Sequence, residues 1–391
     1  QVTDVRFVVH DEDARCGHTP ILAPVLIGSL DIGAPGEDGG MTSDASVAIA
    51  QPVPAPLRTP ARLPEDARTG LAFHRLVFAR QRRAWWTPLL TGALGAAFYA
   101  VMMVVLLVPL VVIALFTPGF ADEMIAMGST VRFDLADPVM LTILLGSIAL
   151  MLPAYLAASR IVNGRRVGHI SSAAGRLRWR WMLLCTAIAV VVYAIVQGLS
   201  LLLPPAWSGG SGGGEVLSPS DNPALLWSLL AIVLVIPVQA AAEEYVFRGY
   251  LMQAIGRWLR HPLWAMLLPV PLFVLGHLYD VAGQISVGVF AVAAGWLTWR
   301  TGGLEAAIAI HVVNNLTVFL LGLAGLVDVN DSGSSIVGLV VSTVMIVGYV
   351  AAIEWVFPKR NLPRTLVLTP AVADASIQAR AHGAFQHGPD L

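Results

Sequence analysis

The sequence predicts an all-α polytopic membrane protein, a bundle of about eight transmembrane helices. Of its 391 residues 56% are hydrophobic and 13% are charged, where a soluble domain carries about 25% charged residues. Mean hydropathy is +0.72. From residue 84 onward, apolar segments follow one another closely, and the arginines between them alternate in abundance.

Residues 1–70 are polar, rich in Pro, Ala and Gly, and lack a long periodic apolar face, so they read as a disordered arm. The apolar run from Pro20 to Ile27 is too short to span and is bracketed by charge, which argues against a signal peptide. Met41 opens a Met-Thr-Ser-Asp stretch that resembles a natural start, so residues 1–40 are read evenly as native or as non-native sequence and receive no function.

The membrane domain covers residues 84–357. Its apolar segments are Ala84 to Ala121, Val139 to Ser159, Trp181 to Pro204, Asn222 to Ala242, Pro262 to Tyr279, Val281 to Trp299, Ala306 to Val327 and Ser332 to Ile353. A helix needs about 20 residues to cross a roughly 30 Å hydrocarbon core, so each counts as one span. Residues 361–391 form a short tail.

Arginines orient the spans. Arg75, Arg80, Arg82 and Arg83 precede the first, and Arg160, Arg165, Arg166, Arg176, Arg178 and Arg180 surround the second return. Arg257 and Arg260, then Arg300, then Lys359, Arg360 and Arg364 recur with the same parity. The intervening connections hold acids, among them Asp122, Asp134, Asp137, Asp280 and Asp328. By the positive-inside rule this predicts a multi-pass cell-membrane protein with both termini cytoplasmic.

Composition also excludes functions. Twenty-four basic against 25 acidic residues leave a formal charge of -1, without the basic excess of a nucleic-acid surface. Cys16 and Cys185 are the only cysteines, too few for a disulfide framework or a thiolate metal site.

Three polar clusters interrupt the second half. In Glu243-Glu244-Tyr245-Val246-Phe247-Arg248, Glu244 and Arg248 share a helix face at i,i+4 while Glu243 points about 100° away. One carboxylate is thereby held and the other is available, an arrangement costly in a membrane unless it serves a site. The second cluster places Phe273 one turn before His277. Glu243 lies 14 positions before Arg257 and His277 lies 16 after His261. These offsets are roughly 21 and 24 Å along a helix, so the two could share one depth. The third cluster contains His311 and Asn315, again i,i+4, whose donors suit an oxyanion.

Each cluster also has a plainer structural reading: a stabilised helix end, an interhelical histidine, or hydrogen-bond glue. Together they make a water-activating acid/base pair beside an oxyanion face, the requirements of amide hydrolysis without a covalent nucleophile. Competing nucleophiles are poorly placed. Cys185 has no histidine near it in sequence, and Gly209-Gly210-Ser211-Gly212-Gly213 lies in a glycine-rich linker rather than at a strand-to-helix turn. The His-Glu-x-x-His zinc motif is missing from the sequence.

These motifs resemble the CPBP family of intramembrane proteases, which includes the CAAX prenyl endopeptidases and many bacterial Abi proteins. Glu243, Glu244 and Arg248 match Glu-Glu-x-x-x-Arg, Phe273 and His277 match Phe-x-x-x-His, and His311 and Asn315 match His-x-x-x-Asn, in family order. The resemblance is carried by a core of residues 225–325. It implies that Glu243 and His277 activate water, that His311 and Asn315 form the oxyanion site, and that Glu244, Arg248 and Phe273 support them. No cofactor is favoured. Zinc or another divalent metal on Glu243, His277 and His311 is the alternative, one that removes those groups from their other roles. The expected partners are a peptide or membrane-protein substrate and the lipid bilayer. CAAX-type processing and peptide maturation both stay open as the task. Two further readings also stay open: a non-catalytic membrane binding or bacteriocin-immunity protein, and a proton-coupled transporter using the acidic pair.

Overall fold

The computed structural model describes residues 64–117, 119, 120, 122, 125, 133–200, 202, 222–330 and 335–368. Most of the N-terminal arm with Cys16, the Gly209–Gly213 linker and the tail beyond 368 lie outside the described residues.

The described chain is all-α, and seven of its helices are long and apolar enough to cross a membrane. They are α1 (Thr87–Phe116), α2 (Pro138–Asn163), α3 (Trp179–Ser200), α4 (Leu225–Trp258), α6 (Val281–Thr301), α7 (Glu305–Leu323) and α8 (Ile336–Arg360). Between α4 and α6 lies a shorter apolar arm, α5 (Pro262–Leu275).

That arm differs from the full span expected over Pro262 to Tyr279. It consists of two short helices, Pro262–Leu267 and Val270–Leu275. Pro269 and Pro271 fall between and within them; a proline has no N–H to donate, and its ring clashes with the carbonyl four residues back. Fourteen residues reach about 21 Å, short of a roughly 30 Å core. The arm nevertheless runs antiparallel to α6, since Phe273 stacks on Phe290 and a Cβ on Gly295 would meet Met266 at 3.4 Å. It therefore carries the chain back along most of α6.

The basic connections gather at one end of the bundle. Leu71 bridges Leu366, and Ser172 bridges Gly303. Arg75 donates to the Gly256 carbonyl at 2.7 Å, and Arg257 donates to the Arg83 carbonyl at 3.1 Å. A buried, bidentate Arg178–Glu305 pair, with N···O contacts of 2.9 and 2.7 Å, locks the start of α3 to the start of α7. At the other end Asn330 exchanges two hydrogen bonds with the backbone of Phe133. Residues 64–70, part of the arm in the sequence reading, include a short helix at Asp66–Thr69, followed by the buried turn Phe73–Ala79.

Local sequence sets the helix limits. Asp137 caps α2 by accepting from Val139 and Met140, Asp280 caps α6 by accepting from Gly283, and Ser335 caps α8 by accepting from Gly338. Gly302 ends α6 at φ 68°, where a Cβ would strike the Arg364 carbonyl, so glycine is required on both counts.

The main core joins α3, α5, α6, α7 and α8 through Tyr193, Phe273, Phe290, Tyr349 and a set of alanines on α6 and α7. Small side chains let these helices approach closely, the usual basis of packing where lipid removes the hydrophobic drive. Cys185 is a free thiol within this core.

Candidate active site

The three polar clusters lie on α4, at the end of α5 and just beyond it, and on α7. In α4, Leu225–Glu244 is α-helical, Tyr245–Leu251 is a π-helix, and Met252–Trp258 is α-helical again. Both glutamates thus stand at the α-to-π junction, a wider turn that recurs at functional sites in helices.

Glu244 is fully buried and acts as a hub. Its Oε1 accepts from Arg248 Nη1 at 2.9 Å and contacts His311 Nδ1 at 2.8 Å, while its Oε2 has no partner among the described residues. Arg248 also donates to the Ala291 carbonyl of α6 at 3.1 Å and lies 4.4 Å over the Phe273 ring. The arginine thereby joins α4, α5 and α6. Breaking such a pair on one side typically costs about 3–5 kcal/mol, because the survivor is left buried and uncompensated.

Glu243 faces differently and, among the described residues, forms no ion pair with an arginine, although its charge reaches Arg248. Its Oε2 stands 3.8 Å from His311 Nε2, and its Oε1 accepts a hydrogen bond from Gln239 Nε2. Asn315 Nδ2 donates to Gln239 Oε1 at 3.1 Å, Asn314 Nδ2 to Asn315 Oδ1 at 3.1 Å, and the Tyr193 hydroxyl to Asn314 Oδ1 at 3.2 Å. An unbroken polar chain therefore runs from α3 through α7 to the Glu243 carboxylate. The amide orientations follow from this network.

His277 joins the group indirectly. Its Nδ1 is 2.8 Å from the Phe273 carbonyl, and its ring packs 4.8 Å from the Phe273 ring, which in turn lies 6.1 Å from His311. A carbonyl only accepts, so Nδ1 is the donor in this contact and Nε2 is the nitrogen left for other partners. Tyr279 stacks on His277 at 6.0 Å and lies within electrostatic reach of Glu243.

The structure therefore brings Glu243, Glu244, Arg248, His311 and Asn315 into one network, with Phe273 against Arg248 and both histidines. Glu243 and His277 make no direct contact. The alternative metal set is not gathered: among the described residues no three His, Cys, Asp or Glu side chains are placed to hold a metal ion. Sequence reasoning missed Gln239. Its signal was available as an amide one turn before Glu243 in an apolar span, where an unpaired polar group is costly.

These features define a helical membrane protein with a buried carboxylate hub and a second carboxylate held by an amide and 3.8 Å from a histidine. Residues 223–317 match the family described as Type II CAAX prenyl endopeptidase Rce1-like. The similarity is to a protease-type domain and is confined to those residues, about a quarter of the chain. The uncharacterized protein YyaK of Bacillus subtilis (strain 168) is 33% identical over 98 residues, 23% of this chain and 33% of YyaK. The chain thus spans about a third of the length of this curated relative. No solved structure gives a significant match.

Proposed function

We propose that the chain is an intramembrane endopeptidase of CAAX type that hydrolyses a peptide bond with activated water. The observation that carries this reading is the unequal treatment of adjacent carboxylates. Glu244 is neutralised by Arg248 at 2.9 Å, while Glu243 holds only an amide and a histidine nitrogen at 3.8 Å. Evolution of a purely structural helix end would have no use for the second acid, which costs desolvation without an ion pair.

In this mechanism water lies between the Glu243 carboxylate and the His277 Nε2 lone pair. Glu243 takes one water proton as the oxygen bonds to the scissile carbonyl carbon, forming a tetrahedral oxyanion. His311 and Asn315 serve that oxygen. Nδ1 of His311 is committed to Glu244, so Nε2 is the nitrogen that would donate to the oxyanion. Asn315 spends one N–H on Gln239 and has a second available. The proton on Glu243 then passes to the departing amine as the C–N bond breaks. His277 must move toward Glu243, or bind the water across the gap, when substrate enters; apo geometry is commonly loose in this way.

The basic end of the bundle is assigned to the cytoplasm, with both termini on that side. The test is cleavage of a panel of prenylated and unprenylated peptides by the full chain in detergent. Cleavage by the parent that is lost in Glu243→Gln supports the reading, and a parent inert on every peptide and on reconstituted membrane proteins refutes it.

A further inference from the structure

The mechanism makes no use of a second buried charge at the basic end. Arg80 is 3% exposed, where the buried turn Phe73–Ala79 leads toward α1. Its Nη2 donates to the Ser159 carbonyl at 3.1 Å and the Ser159 hydroxyl at 2.9 Å, while its Nε is buried with no partner. Among the described residues no carboxylate pairs with it, and burial alone pushes its guanidinium down to about 10. At neutral pH it still carries its charge.

Its surroundings are also positive. Burial, then Arg80 and Arg166, push the His169 imidazole down to about 4. Burial, then Arg257 and Arg166, lower Arg83. An uncompensated guanidinium in such a field is expensive unless an anion joins it.

Space for one adjoins the guanidinium. A cavity of about 30 Å³, with a mostly apolar wall into which Arg80, Thr91, Ser159, Asn163, Tyr250 and Gln253 bring the polar groups, lies where α1, α2 and α4 meet. That volume holds about two water-sized atoms, so it admits the two non-ester oxygens of a phosphodiester. It is partly open rather than enclosed. Trp85, Trp86 and Trp258 are exposed at the same end, with Trp258 donating to the Trp85 carbonyl at 3.0 Å. Exposed tryptophans of this kind mark the headgroup level of a bilayer.

The geometry points to a phosphoryl-binding site in this cavity, with Arg80 supplying the charge and an anionic lipid headgroup or free phosphate supplying the oxygens. Basic pockets between membrane helices suit such headgroups, and guanidinium–phosphate contacts are among the strong charge-assisted hydrogen bonds. The site lies apart from the Glu243 network and does not depend on peptidase activity.

The test follows thermal unfolding of the full chain, purified in detergent and stripped of lipid, during titration with phosphatidylglycerol, phosphatidylcholine or inorganic phosphate. Phosphatidylglycerol should raise the midpoint by at least about 3 °C. Arg80→Gln should lose that rise, and Arg82→Gln, changed at an exposed side chain of the same segment, should keep it. An equal rise with inorganic phosphate identifies free phosphate as the source. No rise with either phosphate source, an equal rise with the zwitterionic lipid, or a full rise in Arg80→Gln overturns the site. Should Arg80→Gln not fold, native mass spectrometry of the parent decides. One phosphatidylglycerol retained through delipidation and displaced by phosphate supports the site, and none retained overturns it.

Discussion

Replacing each glutamate of the adjacent pair by glutamine separates folding from chemistry. Glu244 accepts from two side chains on two helices and is fully buried. Its neutralisation takes from Arg248 its direct ion pair and leaves only the charge of Glu243 beyond ion-pair distance, an effect of about 3–5 kcal/mol, placed nearer the lower figure because that charge remains and a glutamine oxygen still accepts one hydrogen bond. Glu243→Gln removes a charge that forms no ion pair with an arginine among the described residues and retains an acceptor for Gln239, so stability should change by no more than about 1 kcal/mol. Rate should respond in the opposite order. Loss of the water base costs at least about 100-fold, equivalent to about 2.7 kcal/mol of barrier. The assay compares unfolding midpoints in detergent and initial cleavage rates of a peptide that the parent hydrolyses. Glu243→Gln should be folded and nearly inactive, and Glu244→Gln should be less stable with a smaller loss per folded molecule. A fully active Glu243→Gln enzyme would refute the assignment of the base, whatever its effect on stability.

Gln239→Leu should lower the rate by about 10-fold or more, since it unties Glu243 from Asn315, while Gln239→Glu should add a repelling carboxylate and fare worse; parent-like rates in both would remove Gln239 from the site. Strong chelators should leave cleavage intact, and loss of activity restored by stoichiometric zinc would favour the metal alternative. Reporter fusions after residues 125, 210 and 330 should report the outside and those after 170, 261 and 302 the inside; a cytoplasmic signal from residue 210 would reverse the ordering.

The legible part of this protein was what depends on periodicity. Helical spacing alone put Glu244 and Arg248 on one face, and the ion pair joins them. Apolar run length located seven long helices, because a membrane leaves the backbone no other way to satisfy its polar groups. Run length failed at α5, where hydropathy sums residues but not the cost of Pro269 and Pro271 to helix continuity. Spacing could not show which helices approach one another, so His311 was assigned to the oxyanion without its contact to Glu244. The π-helix at Tyr245–Leu251 was equally hidden, since it arises from tertiary demand and has no strong sequence signal of its own. Polar composition made residues 64–70 look unstructured, yet Asp66–Thr69 is helical and the Ala67 carbonyl accepts from the Leu368 N–H at 2.8 Å, a long-range contact that no local pattern announces.

The contacts also explain how two membrane glutamates can be tolerated side by side. Helices α4 and α7 are antiparallel, and two polar cross-braces join them about one turn apart: Glu244 to His311, and Gln239 to Asn315. Glu243 sits between the braces, with Gln239 on one oxygen and His311 near the other. The braces fix helix register as well as the direction of each catalytic candidate, so fold and site share the same atoms. A single hydrogen bond in such a network contributes only about 1 kcal/mol net, too little to set a site alone. Two braces of opposite chemistry, one charged and one amide, resist sliding and rotation together, since either movement must leave a buried polar group unsatisfied. His277 stands outside this frame, on an arm shortened by prolines and held through the Phe273 carbonyl and ring. In the proposed mechanism the cross-braced side would supply the carboxylate and the oxyanion donors, and the separately held His277 the second base. Under that proposal a substrate lying between them would leave the Glu244–Arg248 pair and both braces intact.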